Sequence, residues 1–320
     1  MNVAILGTGL IVPSFIQSAG SLPEVHIRAL WGRNIEKAKV FEKEADYITD
    51  DLERVLSDEE VDAVYVALPN SLHFEYAKKA LLHGKHVMVE KPFCTSLKQT
   101  EELIRLSEER NLLLFEMNMI HYLPTYQFVK ENREKLGRIR LINAATSHYS
   151  RRYDAFREGK ILPSFDPSYA GGALNDLGVY PVHYITGLYG RPGKTLYYAN
   201  IEKDVDTSGI LVLEYEDFKA SISLTKDASG PSYLSLQGEE GYAYCRGAVN
   251  HCEREDIILR SGERYSLEAD KTVPLMTYEL REFLRLFIEG DMVSCRKHLK
   301  QTLLAESVLE EARKSAGLSY

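Results

Sequence analysis

The sequence contains only four cysteines, Cys94, Cys245, Cys252 and Cys295, and no CxxC pair. Thiols spaced this way frame neither a disulfide scaffold nor a recognisable zinc motif. The expectation is free thiols in a reducing, cytoplasmic compartment. No apolar run approaches the roughly eighteen residues that a membrane helix needs. The opening segment Met1-Asn2-Val3-Ala4-Ile5-Leu6 has no basic stretch ahead of its apolar residues, so neither a secreted nor a membrane location is expected. Basic residues do not dominate: 39 Lys and Arg stand against 47 Asp and Glu, a net charge of −8, which argues against nucleic acid as a partner. Internal repeats, low-complexity linkers and clustered His/Cys/carboxylate spacings are also missing. No catalytic metal is expected.

What remains is an ordinary globular composition, 44% hydrophobic and 27% charged, over 320 residues. That length favours about two domains. Short apolar runs at 3–6, 25–31, 63–67, 86–89 and 112–115 alternate with amphipathic stretches at 11–19, 35–44, 72–83 and 97–110. Strand and helix alternating at this spacing predict a doubly wound parallel sheet. Ser96 stands where an N-cap belongs, ahead of Leu97, Leu103 and Leu106 on one helical face. Beyond residue 120 the pattern changes. A helix at 123–136 and a strand at 139–149 precede a polar, aromatic loop at 150–170 and a helix near 173–189. Strand-like runs follow at 209–215, 219–224, 233–237, 257–260 and 265–267, then helices at 277–289 and 296–315. The expected fold class is α/β: an N-terminal Rossmann domain over 1–120, then an α+β domain over 121–320 built on an open, mostly antiparallel sheet. The final helices are candidates to pack back on the first domain.

Gly7-Thr8-Gly9-Leu10-Ile11-Val12 follows the first strand and opens the first helix. Glycines there permit a tight turn and close approach of a pyrophosphate, and the helix N-terminus supplies N–H groups and partial positive charge. Val12 replaces the third glycine of G-x-G-x-x-G, a position concerned more with helix–strand packing than with phosphate. A glycine turn in another doubly wound fold is the competing reading. After the second strand the chain reads Gly32-Arg33-Asn34, with no acid to bond a ribose 2′-hydroxyl. Arg33 suits a 2′-phosphate, so NADP(H) is expected in preference to NAD(H). Leu68-Pro69-Asn70, with His73 in the next helix, borders the same crevice. Asn70 or Ser71 could equally cap that helix.

Glu90-Lys91-Pro92-Phe93 closes the run at 86–89. Ligands of open α/β sheets collect beyond the carboxyl ends of strands, so a lysine there is placed as a working group. Together with Gly7–Gly9, Leu68-Pro69-Asn70-Ser71-Leu72-His73 and Gly171-Gly172-Ala173-Leu174-Asn175-Asp176-Leu177-Gly178-Val179-Tyr180-Pro181, this stretch resembles the Gfo/Idh/MocA oxidoreductase family. The resemblance spans essentially the whole chain. It implies a Rossmann domain, a second domain whose sheet often forms the subunit interface, and NAD(P)-dependent oxidation or reduction of a sugar, polyol or related hydroxy compound. A homodimer or homotetramer is the assembly it implies.

Within that family, Asp176-x-Gly178-x-Tyr180 resembles the dihydrodiol dehydrogenase and glucose–fructose oxidoreductase branches, where the tyrosine is the proposed acid/base. Inositol-dehydrogenase-like members use an aspartate and a histidine at positions matching His183 and Gly187 here. His121 stands where dihydrodiol-type members often carry arginine, and Asn118 falls in the region that approaches the nicotinamide. The expected catalytic residues are Lys91, Tyr180 and Asp176. An ammonium near the phenol favours the phenolate, which makes Lys91 and Tyr180 a plausible proton-handling pair. Glu90 would orient Lys91 or bond the cofactor. Asp176 lies four residues before Tyr180, so a helix would turn both toward one cleft. His121, Tyr149 and His183 join Lys91, Asp176 and Tyr180 as expected substrate contacts. The rival reading from another class is a non-catalytic NADP(H)-binding sensor.

Overall fold

The computed structural model describes residues 1–319. The chain divides into two compact units. Met1–Met119 and Thr272–Leu303 form the first; Ile120–Lys271 and the chain from Leu304 onward form the second.

The first unit is built on a six-stranded sheet in the order β3-β2-β1-β4-β5-β6. Its strands are β1 (Asn2–Leu6), β2 (His26–Trp31), β3 (Tyr47–Thr49), β4 (Ala63–Val66), β5 (His86–Glu90) and β6 (Leu114–Met117). Every neighbouring pair is parallel. Val3–Leu6, Ala63–Val66 and Val87–Val89 are wholly buried, as continuous apolar runs must be in a sheet covered on both faces. Its helices are α1 (Val12–Ala19), α2 (Ile35–Ala38), α3 (Leu52–Leu56), α4 (His73–Leu82) and α5 (Leu97–Glu109). Ser96 caps α5 as expected, its hydroxyl accepting from the Gln99 N–H at 3.4 Å. The expected helix at 35–44 stops early: α2 gives way to a 3₁₀ turn at Lys39–Phe41. Strand β3 escaped the sequence reading because three residues carry no legible period.

In the second unit an eight-stranded sheet runs β14-β13-β12-β11-β7-β10-β9-β8. The strands are β7 (Ile139–Ser147), β8 (Lys194–Glu202), β9 (Val205–Glu214), β10 (Lys219–Thr225), β11 (Tyr233–Gly238), β12 (Gly241–Arg246), β13 (Arg254–Leu259) and β14 (Arg264–Glu268). Only β7 and β10 pair in parallel; the other pairs are antiparallel. Three helices belong to this unit: α6 (Pro124–Asn132), α7 (Arg151–Arg157) and α8 (Val179–Tyr189). The segment 150–170, expected as loop, contains α7, capped by the Ser150 hydroxyl accepting from Arg152 N–H. Two helices close the chain. α9 (Met276–Glu289) lies in the first unit, where it packs on α1, and α10 (Met292–Ser315) contains the point where the division between units falls. Among the described residues no helix is long and apolar enough to cross a membrane.

Candidate active site

In the first unit, β1, β4, β5 and β6 lie side by side and end together, so their carboxyl-terminal loops share one edge. Gly7 ends β1 with φ +134°, and a Cβ there would stand 2.2 Å from the Ala67 carbonyl oxygen. Only glycine fits, which lets β1 and β4 close around the turn. Gly9 is less constrained, its Cβ position being 3.9 Å from that oxygen. Leu10 is 80% exposed, Ile11 is half-buried and Val12 is fully buried against the sheet. Among the described residues no side chain caps α1; the Val12 N–H donates to the Gly9 carbonyl at 3.2 Å and the Ser14 N–H to the Ile11 carbonyl at 3.0 Å, which closes the turn tightly onto the helix. Thr8 packs its methyl beneath Gly32, where a Cβ would approach to 2.8 Å. Arg33 follows, exposed and in no ion pair among the described residues, while Asn34 turns inward to cap α2. The glycine turn therefore has the close backbone approach that a dinucleotide-binding loop needs, and the exposed Arg33 follows β2.

Leu68 and Pro69 leave β4, and Asn70 begins a 3₁₀ turn that runs into α4. His73 is fully buried in the first turn of α4. Its Nδ1 lies 2.9 Å from the Pro92 carbonyl and its Nε2 2.8 Å from the Leu68 carbonyl. Burial pushes its pKa down, and a neutral imidazole donates through only one nitrogen. His73 therefore braces the loops after β4 and β5 against each other. Both of its nitrogens face backbone carbonyls, one on each loop.

Glu90 is the last residue of β5 and is buried. It accepts from the Tyr65 hydroxyl at 2.5 Å and from the Lys91 backbone N–H at 3.2 Å. Tyr65 is itself held by stacking on Phe15, centroids 4.0 Å apart. Burial pushes the Glu90 carboxyl up to about 7, with Glu116 adding repulsion. Glu116 on β6 is buried and accepts from the Thr302 hydroxyl at 2.8 Å. Glu279 on α9 completes this carboxyl group; it is fully buried, and its oxygens have no hydrogen-bond partner among the described residues. Lys91 emerges half-buried at the end of β5, before a cis peptide bond to Pro92. Asn118, buried, ends β6 on the same edge.

The second unit supplies its own cluster. Gly172, at φ +116°, leads into a π-helical turn at Leu174–Gly178, and α8 follows without a break. Such turns recur at functional sites. Within this otherwise buried stretch Asp176, Leu177 and Tyr180 are the half-exposed positions. Asp176 pairs with Lys226 at 3.0 Å. The Lys226 side chain is buried, donates to the Ser164 carbonyl at 2.7 Å and lies 4.4 Å from the Phe165 ring centroid. Within the turn, Asn175 donates to the Ala170 carbonyl at 3.0 Å and accepts from buried Arg313 at 2.9 Å. The Leu174 N–H donates to buried Asp206 at 2.7 Å.

His121 and His183 meet, Nε2 to Nδ1, at 3.0 Å. His183 is buried and His121 half-buried. A Cβ at Gly187 would stand 2.7 Å from His121 Cε1 and 2.4 Å from the Tyr126 hydroxyl. The imidazole of His121 thus fills the space that a side chain at 187 would take. Tyr149 donates to Asp154 at 2.5 Å and meets the Tyr153 ring edge-on. The sequence reading missed Lys226, Asp206, Arg313 and Glu279. Lys226 carried a usable signal, since it follows a strand end just as Lys91 does. The other three sit in ordinary helical or strand sequence, and nothing local marks them.

Residues 1–117 match the Gfo/Idh/MocA model described as an oxidoreductase family with an NAD-binding Rossmann fold, and residues 130–244 match the Gfo/Idh/MocA C-terminal domain. The chain is 34% identical over 324 residues to scyllo-inositol 2-dehydrogenase (NADP(+)) IolU of Bacillus subtilis strain 168, covering 100% of this chain and 98% of the relative. It is 24% identical over 333 residues to trans-1,2-dihydrobenzene-1,2-diol dehydrogenase of Xenopus tropicalis, covering 99% and 98%. In fold it resembles KijD10, a 3-ketoreductase from Actinomadura kijaniata solved with NADP and TDP-benzene, at a TM-score of 0.85 and 24% identity over 98% of this chain and 97% of that one. With both domain models matched and a relative similar along its whole length, the chain belongs to the Gfo/Idh/MocA family of oxidoreductases.

Proposed function

We propose that this chain is an NADP(H)-preferring dehydrogenase that interconverts a secondary alcohol and a ketone on a sugar or polyol, with inositols as the first candidates. The observation that carries this reading is the whole-length similarity to an NADP(+)-dependent inositol dehydrogenase. The glycine turn at Gly7, which a Cβ would fill, and the exposed Arg33 at the end of β2 support the cofactor assignment. Thr8, Gly9, Leu10, Ile11, Gly32, Leu68, Pro69, Asn70 and Asn118 would line the same cofactor, with His73 bracing the loops behind it. When bound, the nicotinamide supplies or accepts the hydride.

The remaining chemistry falls to side chains. An alcohol must lose a proton as its carbon gives up hydride, and a ketone must gain one in reverse. Lys91 stabilises the negative charge that develops on the reacting oxygen, and Tyr180 exchanges the proton. Asp176, tethered to Lys226, bonds a neighbouring hydroxyl. His121 contacts substrate, and His183 holds its ring in place. Glu90 positions Lys91 through the backbone N–H.

The decisive experiment compares wild type with Lys91→Ala on a panel of inositols and aldoses. Turnover should fall roughly a hundredfold or more while NADPH binding persists. Near-normal turnover in the variant would remove Lys91 from the chemistry.

We also propose a homo-oligomer formed through the open face of the second sheet. The strand register places Tyr198, Ile210, Leu141 and Tyr242 on one face. All four are large, apolar and exposed, which suits a surface that another copy covers.

A further inference from the structure

We propose that Cys245, Cys252 and Glu255 form a buried site for a thiophilic divalent cation, with Zn²⁺ as its natural occupant, inside the second unit. The donor atoms of all three lie within 4.8 Å of one another, and all three residues are buried. Cys245 on β12 and Glu255 on β13 are directly opposed in the ladder. Cys252 enters from the turn between the two strands, its thiol donating to Glu255 Oε2 at 3.4 Å, a proton that a bound cation would replace. In a tetrahedral zinc site with a Zn–S bond of ~2.3 Å and a Zn–O bond of ~2.0 Å, a sulfur and an oxygen ligand stand ~3.5 Å apart. The observed separation matches that value.

Two further observations point to a missing positive partner. Glu255 is 0% exposed, and its Oε1 has no hydrogen-bond partner among the described residues. The Tyr184 hydroxyl, on a residue 2% exposed, is likewise without a partner among them. Among the groups that act most strongly on Tyr184, Glu255 comes first, followed by Cys245 and Cys252, so the hydroxyl belongs to the same pocket. Burial acts most strongly on Glu255 and pushes its carboxyl up, followed by Cys252, Cys245 and Asp256. Electron-rich groups facing one another in a buried space are costly unless a cation joins them. A cation held by two thiolates and a carboxylate would satisfy the orphaned oxygen, with Tyr184 or a water as the fourth donor. It would clamp the β12–β13 hairpin by joining the two strands to the turn between them. The cation would be structural, because its donors are sealed from solvent.

The sequence alone gave no hint of this site, because no pair of these residues has a zinc-motif spacing. Register and the fold of the turn bring the donors together.

The test uses the full-length reduced protein. It is loaded with Zn²⁺, dialysed against metal-free buffer and assayed for bound metal; a parallel sample receives Co²⁺. Zinc should be retained at one ion per chain, and cobalt should produce a thiolate-to-metal charge-transfer band with the visible absorption of a tetrahedral centre. Cys252→Ser and Glu255→Gln, which nearly preserve volume, should weaken cation binding roughly tenfold or more. Cys295→Ser, altering a buried thiol of the first unit, should leave stoichiometry and spectrum unchanged. Circular dichroism and NADPH binding monitor folding in each variant. Failure of folded, reduced wild type to retain zinc or show the cobalt bands overturns the proposal. So does a Cys245–Cys252 disulfide, found by mass spectrometry, in the protein as purified.

Discussion

At the scale of single residues, two charged groups carry separable predictions. Arg33 is the one guanidinium at the end of β2, and no acid accompanies it there. A 2′-phosphate gains a charge-assisted partner that a 2′-hydroxyl does not. Arg33→Ala should therefore weaken NADPH binding by roughly tenfold or more and NADH binding far less. Titration of both cofactors decides it, and equal losses would refute the 2′-phosphate assignment. Glu90 carries the second. Its carboxyl titrates near 4.5 when unperturbed and at about 7 in the fold, because burial disfavours the charged form. The native state thus holds this proton more tightly than the unfolded chain. The stabilisation is fully present below the unfolded value and is lost as pH rises through about 7. The difference amounts to about 3 kcal/mol. Between about pH 5 and about pH 8, wild type should lose more stability than Glu90→Gln, whose amide keeps an acceptor for Tyr65. Parallel denaturation curves at the two pH values would contradict this.

At the scale of elements, the π-helical turn and α8 carry the residues proposed to meet substrate. Asp176 and Tyr180 are half-exposed there, while their neighbours Leu174, Asn175, Gly178 and Val179 are buried. Gly187, farther along α8, clears the space into which His121 fits. An added methyl would press on the Tyr126 hydroxyl and the His121 ring at 2.4 and 2.7 Å. Such overpacking costs about 1–3 kcal/mol, and the half-buried His121 is freer to move than the buried tyrosine. Gly187→Ala should raise KM for the sugar or polyol severalfold while the NADPH Kd stays constant. An unchanged KM would mean that His121 does not meet substrate.

At the scale of the whole molecule, the second sheet presents an exposed apolar face that a single chain has no use for. Ile210, on β9 next to the edge strand β8, is 48% exposed, so its replacement removes little from the fold of one chain. Ile210→Asp would bury a carboxylate against a second copy and repel it. Sedimentation velocity should show wild type as a dimer or tetramer and the variant shifted to monomer, with its melting behaviour otherwise intact. A monomeric wild type at micromolar concentration would sink this interface.

The sequence by itself determined the features whose causes are local. The buried apolar runs of β1, β4 and β5 read as parallel strands because both faces are covered. The glycine turn at Gly7 and the Ser96 cap follow from backbone sterics and short-range hydrogen bonding. The place of Lys91 was legible because it directly follows the buried run of β5. Helix α7 was lost because its residues are polar and aromatic without a clear apolar stripe. Tertiary structure alone decided which distant groups meet. It set Glu279 near Glu90 and Glu116, turned both nitrogens of His73 onto carbonyls, and paired His121 with His183. It also opposed Cys245 to Glu255 across a strand ladder. Those contacts depend on register and packing between elements far apart in the chain, and no period or spacing in the sequence encodes them.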